Sequence, residues 1–457
     1  MRRLTATTTG RLLLAAATLT GATVLAAGPA VAATPRHATT GWGSPTTGHG
    51  STFGQPATAG PVSSNANMSA WTTDGDVKAS LIRDGVLYIA GSFTHLVPPT
   101  GSSSSPVAVQ HVAALSAITG QPIPGFSPTI DDGGVDAMTL SADRSRIYIG
   151  GDFTHSGGAF AGHVMALDLT TGARDTSWHA STTWPVYSLA VSGSRVYVGG
   201  GPNHVVTGPT STYLAAFDAA TGNASAGFTP PLIDNEPYHT QSAATSDGWI
   251  TALAVSSDGS QLYVGGYFNR VAGTVRPSLA ALSISTGAWI TKFAPHSMKG
   301  GTAHSGNDVL DIIATPQQLY VGVGGTANLV FDFDPWVGGN THFLTRTDGD
   351  VQALALIGRT LYLGGHFHNF VSDSTGYHYN GMTVRGYVVD ITFAARVDAL
   401  SGLLDTSWQP NVGNWQDPAA YFGVYTMATN GHNLYAGGAF DKLKGIAHPH
   451  VAFFAGP

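Results

Sequence analysis

The chain has 457 residues, of which 43% are hydrophobic and 10% charged, with a formal net charge of −7 and no cysteine. The acidic balance disfavours nucleic acid and anionic membranes as partners. The lack of cysteine excludes disulfide bonds and a lipoprotein anchor, so stability has to come from the packed core.

Residues 1–33 predict an export signal. They begin with basic residues that include Arg2, continue with an apolar stretch from Leu12 to Ala27 and end in Ala30-Val-Ala-Ala33. The apolar stretch is too short and too rich in alanine and threonine for a membrane anchor. We therefore expect a secreted, extracellular protein, and residues 34–67, rich in Gly, Ser, Thr and Pro, are predicted to form a flexible leader.

One phrase recurs from residue 68 onward, in which an aliphatic residue, tyrosine, a second aliphatic residue and two glycines precede a phenylalanine, as in Ile147–Phe153. Its seven tyrosines have a mean spacing of about 58 residues and are Tyr88, Tyr148, Tyr197, Tyr263, Tyr320, Tyr362 and Tyr435. The second repeat predicts strands at Val135–Leu140, Ile147–Phe153 and His163–Leu169, and a fourth that begins at Asp175–Trp178. The pattern predicts an all-β, seven-bladed β-propeller of four-stranded antiparallel blades over residues 68–457.

The two ends of the repeat region complement each other. Met68–Trp71 has the pattern of a fourth strand, whereas the last repeat stops at Val451–Phe454, a third strand. Because an open ring would leave two unpaired sheet edges, we expect residues 68–71 to pair with 451–454, so that an N-terminal strand closes the ring.

Asp175-Thr-Ser-Trp178 and Asp405-Thr-Ser-Trp408 each follow a glycine turn and precede an apolar strand and a further copy of the tyrosine phrase. With these motifs the chain resembles the delta-60 repeat, a bacterial β-propeller unit of unknown function. The resemblance covers about residues 68–455 and departs from the pattern at Gly322–Ala327 in the fifth repeat. It implies a propeller fold and no catalytic residue.

Loop lengths predict a functional face. In an up-and-down blade, the turns between first and second strands and between third and fourth strands share one face, and all of these are short. The insertions fall on the opposite face, at residues 98–110, 230–247, 295–307, 369–395 and 410–421. Long loops gathered on one side of a rigid scaffold are typical of binding or catalytic surfaces.

The insertions mix aromatic side chains with polar ones. The candidate ligand-binding residues are Asp234, Glu236, Tyr238, His239, Tyr377, Tyr379, Trp415 and Asp417. Aromatic faces beside hydrogen-bonding groups suit sugars and other extended polar ligands, because the ring covers apolar C–H surface. The same residues are equally compatible with a role in holding long loops in place.

Acidic residues recur in the connectors between repeats, at Asp74, Asp132, Asp247, Asp308 and Asp348. Ordinary turn chemistry explains Asp-Gly pairs, while an acidic ring could hold Ca²⁺, which prefers oxygen ligands. Equivalent histidines also occur on three successive loops, at His95, His155 and His204. They lie too far from the axis to share one metal ion, so a loop-capping role is favoured.

The sequence is most consistent with a monomeric, secreted protein that binds a polysaccharide or cell-surface glycan, or a protein, through its loop-rich face. The alternatives are a carbohydrate-active hydrolase or lyase and a structural protein-interaction scaffold. An enzyme would depend on Glu236, the one glutamate in the chain, together with Asp234 or another aspartate, because glycosidases need two carboxylates. The chain has no G-x-S-x-G, HExxH or phosphate-loop motif, which argues against an enzyme.

Overall fold

The computed structural model describes residues 60–202, 213–234, 248–295, 307–325, 328–339, 341–370, 378–379, 382–383, 389–413 and 423–457. Throughout these ranges the regular secondary structure is β-strand, and none of them contains a helix. All of them belong to one unit of the chain, residues 41–457.

Seven main sheets follow one another along the chain, and we number them one to seven. In each sheet an inner strand pairs with a middle strand and the middle strand with an outer one, always antiparallel. The strands are Val77–Arg83, Val86–Gly91 and Val112–Ser116 in sheet one; Val135–Leu140, Arg146–Gly151 and Val164–Asp168 in sheet two; Val186–Ser192, Arg195–Gly200 and Leu214–Asp218 in sheet three; Trp249–Val255, Gln261–Tyr267 and Leu279–Ser283 in sheet four; Asn307–Ala314, Leu319–Gly325, Leu329–Phe333 and Thr341–Arg346 in sheet five; Asp350–Ile357, Thr360–His366 and Ala394–Asp398 in sheet six; and Val424–Thr429, Leu434–Gly438 and Val451–Phe454 in sheet seven.

The fourth strand predicted for every repeat is present in sheet five, as Thr341–Arg346, whereas elsewhere it is reduced to single bridging pairs. These pairs are Leu115 with Pro122, Leu167 with Arg174, Phe217 with Ala224, Leu282 with Trp289, and Val397 with Leu404. In sheet two the chain leaves the sheet edge directly after the pair of Leu167 with Arg174. It does so because the Asp175 carboxylate accepts the backbone N–H of Ser177 at 2.9 Å and closes a turn. The Asp-Thr-Ser-Trp motif is therefore a turn and not the start of a strand.

The loop-rich side of the sheets is built from short hairpins. Most of them lie between a middle and an outer strand, and several also pair with the connector that enters the same sheet. Their strands are Thr72–Thr73, His95–Val97, Val107–Ala108, His155–Ser156, Ala159–Phe160, Ile233–Asp234, Arg270–Val271, Thr274–Val275, Asn369–Phe370, His378–Tyr379, Met382–Thr383, Val389–Asp390, Lys442–Leu443 and Ile446–Ala447.

The inner strands contact one another in chain order, and the inner strand of sheet seven also contacts that of sheet one. An apolar cluster fills each of the seven junctions between successive sheets. Between sheets two and three, for example, Tyr148 packs with Val186 and Val198, all within 1% of complete burial. Each sheet thus buries both of its faces against neighbours, which explains inner strands that are apolar on both sides.

The repeated tyrosines join each sheet to the next. The hydroxyl of Tyr148 donates to the carbonyl oxygen of Ala219, in the turn that follows the outer strand of sheet three, at 2.6 Å. The equivalent bonds run from Tyr88 to Leu169, Tyr197 to Ile284, Tyr263 to Pro335, Tyr320 to Ala399, and Tyr435 to Ala117. In sheet six the Tyr362 hydroxyl instead accepts the backbone N–H of Val62 at 2.9 Å.

The paired glycines of the repeat are required by close approach. A Cβ on Gly150 would lie 2.3 Å from Cγ1 of Val186 in the next sheet. A Cβ on Gly151 would lie 2.0 Å from the carbonyl oxygen of Gly134, beside the inner strand of its own sheet. Any side chain at either position would therefore push the sheets or strands apart.

The N-terminal end of the described chain lies along sheet seven. The N–H groups of Ser63 and Asn67 donate to the carbonyls of Ala455 and Phe453, both at 2.9 Å, and Ala66 bridges Phe454. The pairing with Val451–Phe454 thus involves residues 63–67, which were predicted to belong to a flexible leader. The predicted register was wrong, because Trp71 packs at the junction of sheets seven and one and its N–H bonds to Gly120 instead.

Candidate ligand-binding site

The connector aspartates hold the loops of the loop-rich side in place. The Asp74 carboxylate accepts the backbone N–H groups of Thr94 and His95 at 2.7 and 2.8 Å, and also the Thr94 hydroxyl. Asp132 binds Thr154 and His155 in the same way. Burial acts to raise the pKa of Asp74, but these hydrogen bonds outweigh it and lower the pKa to about 2.

The other predicted calcium candidates do not join them. Asp348 accepts the N–H groups of His368 and Asn369 at 2.7 and 2.9 Å, so it holds its own loop. Asp308 lies inside the inner strand of sheet five, and Asp247 is outside the described residues. Within the ranges that the structure describes, no three His, Cys, Asp or Glu side chains are grouped as metal ligands.

The loop histidines bind the same aspartates. Nδ1 of His95 lies 2.9 Å from Oδ2 of Asp74, and Nδ1 of His155 lies 3.2 Å from Oδ2 of Asp132. Each ring therefore belongs to the clamp of its own loop, as the loop-capping interpretation requires. His204 falls outside the described residues.

Each inner strand carries a β-bulge close to its start, at the same place in all seven sheets. The extra residues, which we call the bulge row, are Lys78, Asp136, Tyr187, Thr251, Leu310, Gln352 and Tyr425. A bulge redirects a side chain and is common beside functional sites. This row could not be predicted from residue types, because its members share a backbone geometry and not a side-chain chemistry.

Side chains of the bulge row interact with groups of the next sheet along the chain, or of sheet one in the case of sheet seven. Nζ of Lys78 in sheet one lies 2.7 Å from Oδ1 of Asp136 in sheet two. The Thr251 hydroxyl in sheet four donates to Oδ1 of Asp308 in sheet five at 2.9 Å. Burial raises the pKa of Tyr425, and the negative charge of Asp76 in sheet one acts in the same direction.

Sheets three and four carry five aromatic side chains close to the bulge row. We call them the aromatic mouth: Trp184, Tyr187, Tyr213, Trp249 and Tyr267. Trp184 and Tyr213 meet edge to face with ring centroids 5.8 Å apart, and Trp249 and Tyr267 are tilted at the same distance. Both tryptophans and Tyr267 are half-buried, whereas Tyr187 and Tyr213 are buried.

Two adjacent glycines bring these rings together. A Cβ on Gly200 would lie 2.7 Å from the ring of Trp184. A Cβ on Gly201 would lie 3.0 Å from Cε2 of Tyr187 and 3.3 Å from Cγ of Trp249. The rings of two neighbouring sheets thus approach one stretch of bare backbone, and half-exposed aromatic surface remains available to a ligand.

In sheets five and six, acidic side chains lie near the start of the inner strand, at Asp308 and Asp350. The pKa of Asp308 is raised to about 8, chiefly by burial and also by the charge of Asp350, while the hydrogen bond from Thr251 acts to lower it. Burial also raises the pKa of Asp350, whose Oδ1 accepts the N–H of Gly325 at 2.8 Å. Burial also lowers the pKa of His366, which favours its uncharged imidazole.

Most of the ligand-binding residues predicted from the sequence lie outside the described residues, namely Glu236, Tyr238, His239, Tyr377, Trp415 and Asp417. Only the backbone of Tyr379 is described, in a short strand. Asp234 is 8% exposed, and its carbonyl accepts the N–H of Asn269 at 3.0 Å. The inserted connector that contains Glu236 ends two residues before Trp249, so this loop and the aromatic mouth are adjacent in the chain.

Comparison with known proteins gives a fold likeness without a family. No family model matches the chain, and no curated protein matches it. Among solved structures, it is similar to the WD40 beta propeller domain of Doa1, with 11% identity, a TM-score of 0.44 and coverage of 87% of this chain and 97% of that one. A chain of the Mitotic Checkpoint Complex matches with 13% identity, a TM-score of 0.48 and coverage of 87% and 94%. The described residues contain no helix that is long and apolar enough to span a membrane.

Proposed function

We propose that the chain is a seven-bladed β-propeller whose ring is closed by residues 60–67. The cyclic contacts of the inner strands and the seven apolar clusters support this arrangement. At sheet seven, the N-terminal segment takes the place that a turn after the outer strand has in other sheets, because the N–H of Val62 donates to the Tyr362 hydroxyl of sheet six. The resemblance to the delta-60 repeat remains part of the same proposal.

We further propose that this propeller is secreted and binds an extracellular glycan at its loop-rich face. The observation that carries the proposal is the aromatic mouth, where half-buried Trp184, Trp249 and Tyr267 lie near polar members of the bulge row such as Tyr187 and Thr251. Aromatic faces cover the C–H surface of a sugar ring, while nearby hydroxyl and carboxyl groups bind its hydroxyls. The loop with Glu236, Tyr238 and His239 adjoins the mouth in sequence, so both sets of residues support one site.

Calorimetric titration of the mature protein with a panel of neutral polysaccharide fragments tests this proposal. Trp249→Ala should weaken binding by about 1 to 3 kcal/mol, which is roughly 5- to 150-fold in Kd, because a central aromatic contact is lost. Leu400→Ala provides the control, since Leu400 is 53% exposed in the turn after an outer strand, on the opposite face. Absence of binding across the panel, or equal affinity in Trp249→Ala and wild type, would refute the glycan site.

The same titration, combined with an assay for newly released reducing ends, distinguishes a hydrolase from a binding protein. Glu236→Gln should abolish product release if Glu236 is catalytic, and should change affinity only modestly in a binding protein. The structure does not favour Asp234 as the second carboxylate, because its side chain is largely buried beside a hairpin.

A protein-interaction scaffold is the second candidate function, and exposed apolar residues on the hairpins support it. They occur at similar positions in four hairpins, with exposures of 42% for Val107, 63% for Phe160, 40% for Val275 and 59% for Ile446. A set of apolar groups spread around the loop-rich side suits contact with a broad protein surface.

A further inference from the structure

A groove separate from the aromatic mouth runs beside sheet two. It has a volume of about 650 Å³ and lies between the hairpin His155–Phe160, residues 127–129 and residues 173–181. We call it the rim groove. All of its lining residues are described, and none of them is acidic.

One part of the lining is aromatic. The ring of Phe160 is 63% exposed and meets the His155 ring edge to face at 6.1 Å. Trp178 is 3% exposed, with its Nε1 donating to the carbonyl oxygen of Asp218 at 3.2 Å and its ring 5.1 Å from that of Tyr148. The groove therefore combines a firmly anchored indole with one ring that is free to cover a ligand.

The charged group of the groove is Arg174. Its Nη2 donates to the carbonyl oxygen of Phe160 at 2.8 Å and its Nη1 to that of Ala159 at 3.4 Å, which directs the guanidinium to the hairpin. Its Nε is buried and has no acceptor among the described residues, so the donors that can reach a ligand are those on Nη1 and Nη2. Guanidinium carries five N–H donors, so two carbonyl contacts leave donors for a further acceptor.

Neighbouring carboxylates do not neutralise this arginine. Asp175 is held by Arg146, with Oδ2 3.0 Å from Nε, and by the hydroxyl of Ser177. Asp131 accepts the backbone N–H of Gly158 at 2.6 Å. In a chain with a net charge of −7, the rim groove thus presents a positive group lined by the hydroxyl-bearing residues Ser127, Thr129, Ser156, Thr176 and Ser181.

The combination is specific to sheet two. In the single bridging pairs, the position of Arg174 is occupied elsewhere by Pro122, Ala224, Trp289 and Leu404. The exposed residue of the matching hairpin is Val107, Val275 or Ile446, and Phe160 is the one large aromatic ring exposed on a hairpin whose side chains the structure describes. The repeat architecture does not require arginine or phenylalanine at these places, because the other sheets keep the same bridging pair with other residue types.

We propose that the rim groove binds a uronic acid residue of an acidic polysaccharide, with the carboxylate on Arg174 and the sugar ring against Phe160. Carboxylates match the planar fork of guanidinium, and charge-assisted hydrogen bonds of this kind are short and strong. Sugar C–H groups cover an aromatic face, and the serine and threonine hydroxyls bind those of the sugar. This site is independent of the neutral glycan proposed at the aromatic mouth.

The test is calorimetric titration of the folded, full-length mature protein with trigalacturonate, with a neutral trisaccharide and a sulfated trisaccharide as comparison ligands. Wild type should bind trigalacturonate at least about tenfold more tightly than the neutral ligand and more tightly than the sulfated one. Phe160→Ala and Arg174→Gln should each weaken trigalacturonate binding roughly tenfold or more. Retained affinity in Arg174→Lys would overturn the guanidinium contact, because lysine keeps the charge and loses the fork.

Matched variants separate this site from the rest of the surface. Val275→Ala alters the corresponding hairpin of sheet four, where Val275 is 40% exposed, and should leave trigalacturonate binding unchanged. Trp249→Ala should also leave it unchanged, so failure of the mouth proposal and failure of the groove proposal give different results. Equal binding of neutral and acidic ligands, tighter binding of the sulfated ligand, or full affinity in Phe160→Ala would overturn the uronate site.

Discussion

Replacement of Asp308 by asparagine should stabilise the protein at alkaline pH. The Asp308 side chain is half-buried, accepts the Thr251 hydroxyl at 2.9 Å and is close enough to Asp350 for the two charges to interact. Asparagine keeps the size and the acceptor oxygen, so Thr251 retains its hydrogen bond. The variant removes the negative charge alone.

The sign follows from the raised pKa. The pKa of Asp308 is about 8 in the folded protein against an ordinary value of 3.8. The folded state therefore binds more protons than the unfolded state between these values, so the stability present below pH 3.8 is lost as the pH rises through 8. The difference between these two pKa values corresponds to roughly 6 kcal/mol, and water at the half-buried carboxylate reduces this to about 1 to 3 kcal/mol.

Urea unfolding of wild type and Asp308→Asn at pH 4.5, 7 and 9 measures this difference. We expect the stability gain of the variant to be small at pH 4.5 and largest at pH 9. In an Asp350→Asn background the gain should shrink, because the repulsion between the two carboxylates has already been removed. Equal stability of variant and wild type at pH 9, or a gain that does not change with pH, would refute the reasoning.

Three other predictions concern the scaffold. Gly150→Ala should cost about 1 to 3 kcal/mol of unfolding free energy by overpacking, whereas Gly134→Ala, whose Cβ would meet its nearest atom at 3.4 Å, should cost less in the same denaturation series. A chain that starts at residue 68 should melt well below one that starts at residue 60 in calorimetric scans, and equal melting temperatures would exclude a closing role for residues 60–67. Asp132→Asn should destabilise the protein at pH 7, and this loss should diminish as the pH falls through the lowered pKa of Asp132, opposite in sign to Asp308→Asn.

The strands and their order could be predicted because their signals are local. Tyrosine, aliphatic residues and paired glycines recur at one spacing, and in the structure Tyr148 and Gly150 make the contacts with the next sheet that maintain the repeat. The fourth strand predicted to begin at Asp175 was wrong in sheet two, because the side chain of Asp175 accepts the backbone N–H of Ser177 and turns the chain. The pairing of the N-terminal segment with sheet seven depends on backbone hydrogen bonds of Ser63 and Asn67. Backbone bonds leave no hydrophobic pattern in the sequence, so the register of this pairing could not be predicted.

The candidate site was harder to predict from the sequence than the strands, because its geometry depends on contacts between distant residues. The role of Asp74 depends on N–H groups about 20 residues away, which distinguish a loop clamp from a calcium ligand. Members of the bulge row, such as Lys78 and Leu310, are chemically unrelated and are aligned by a backbone irregularity. The aromatic mouth could have been noticed from Trp184 and Trp249, each of which comes shortly before an inner strand or at its first residue.

Six of the seven tyrosine hydroxyls donate to the next sheet along the chain, and the bond of Tyr435 returns to Ala117 in sheet one. The seventh, Tyr362 of sheet six, accepts the N–H of Val62, which lies in the segment that runs along sheet seven. A row of units connected head to tail ordinarily has two weak ends, from which it can unravel one unit at a time. Here the last link meets the first, so no unit is terminal and the loss of any one exposes two interfaces together. Such a molecule should resist fraying from its ends. We expect it to unfold in a single cooperative transition, so that a destabilising change in one sheet lowers the stability of all seven.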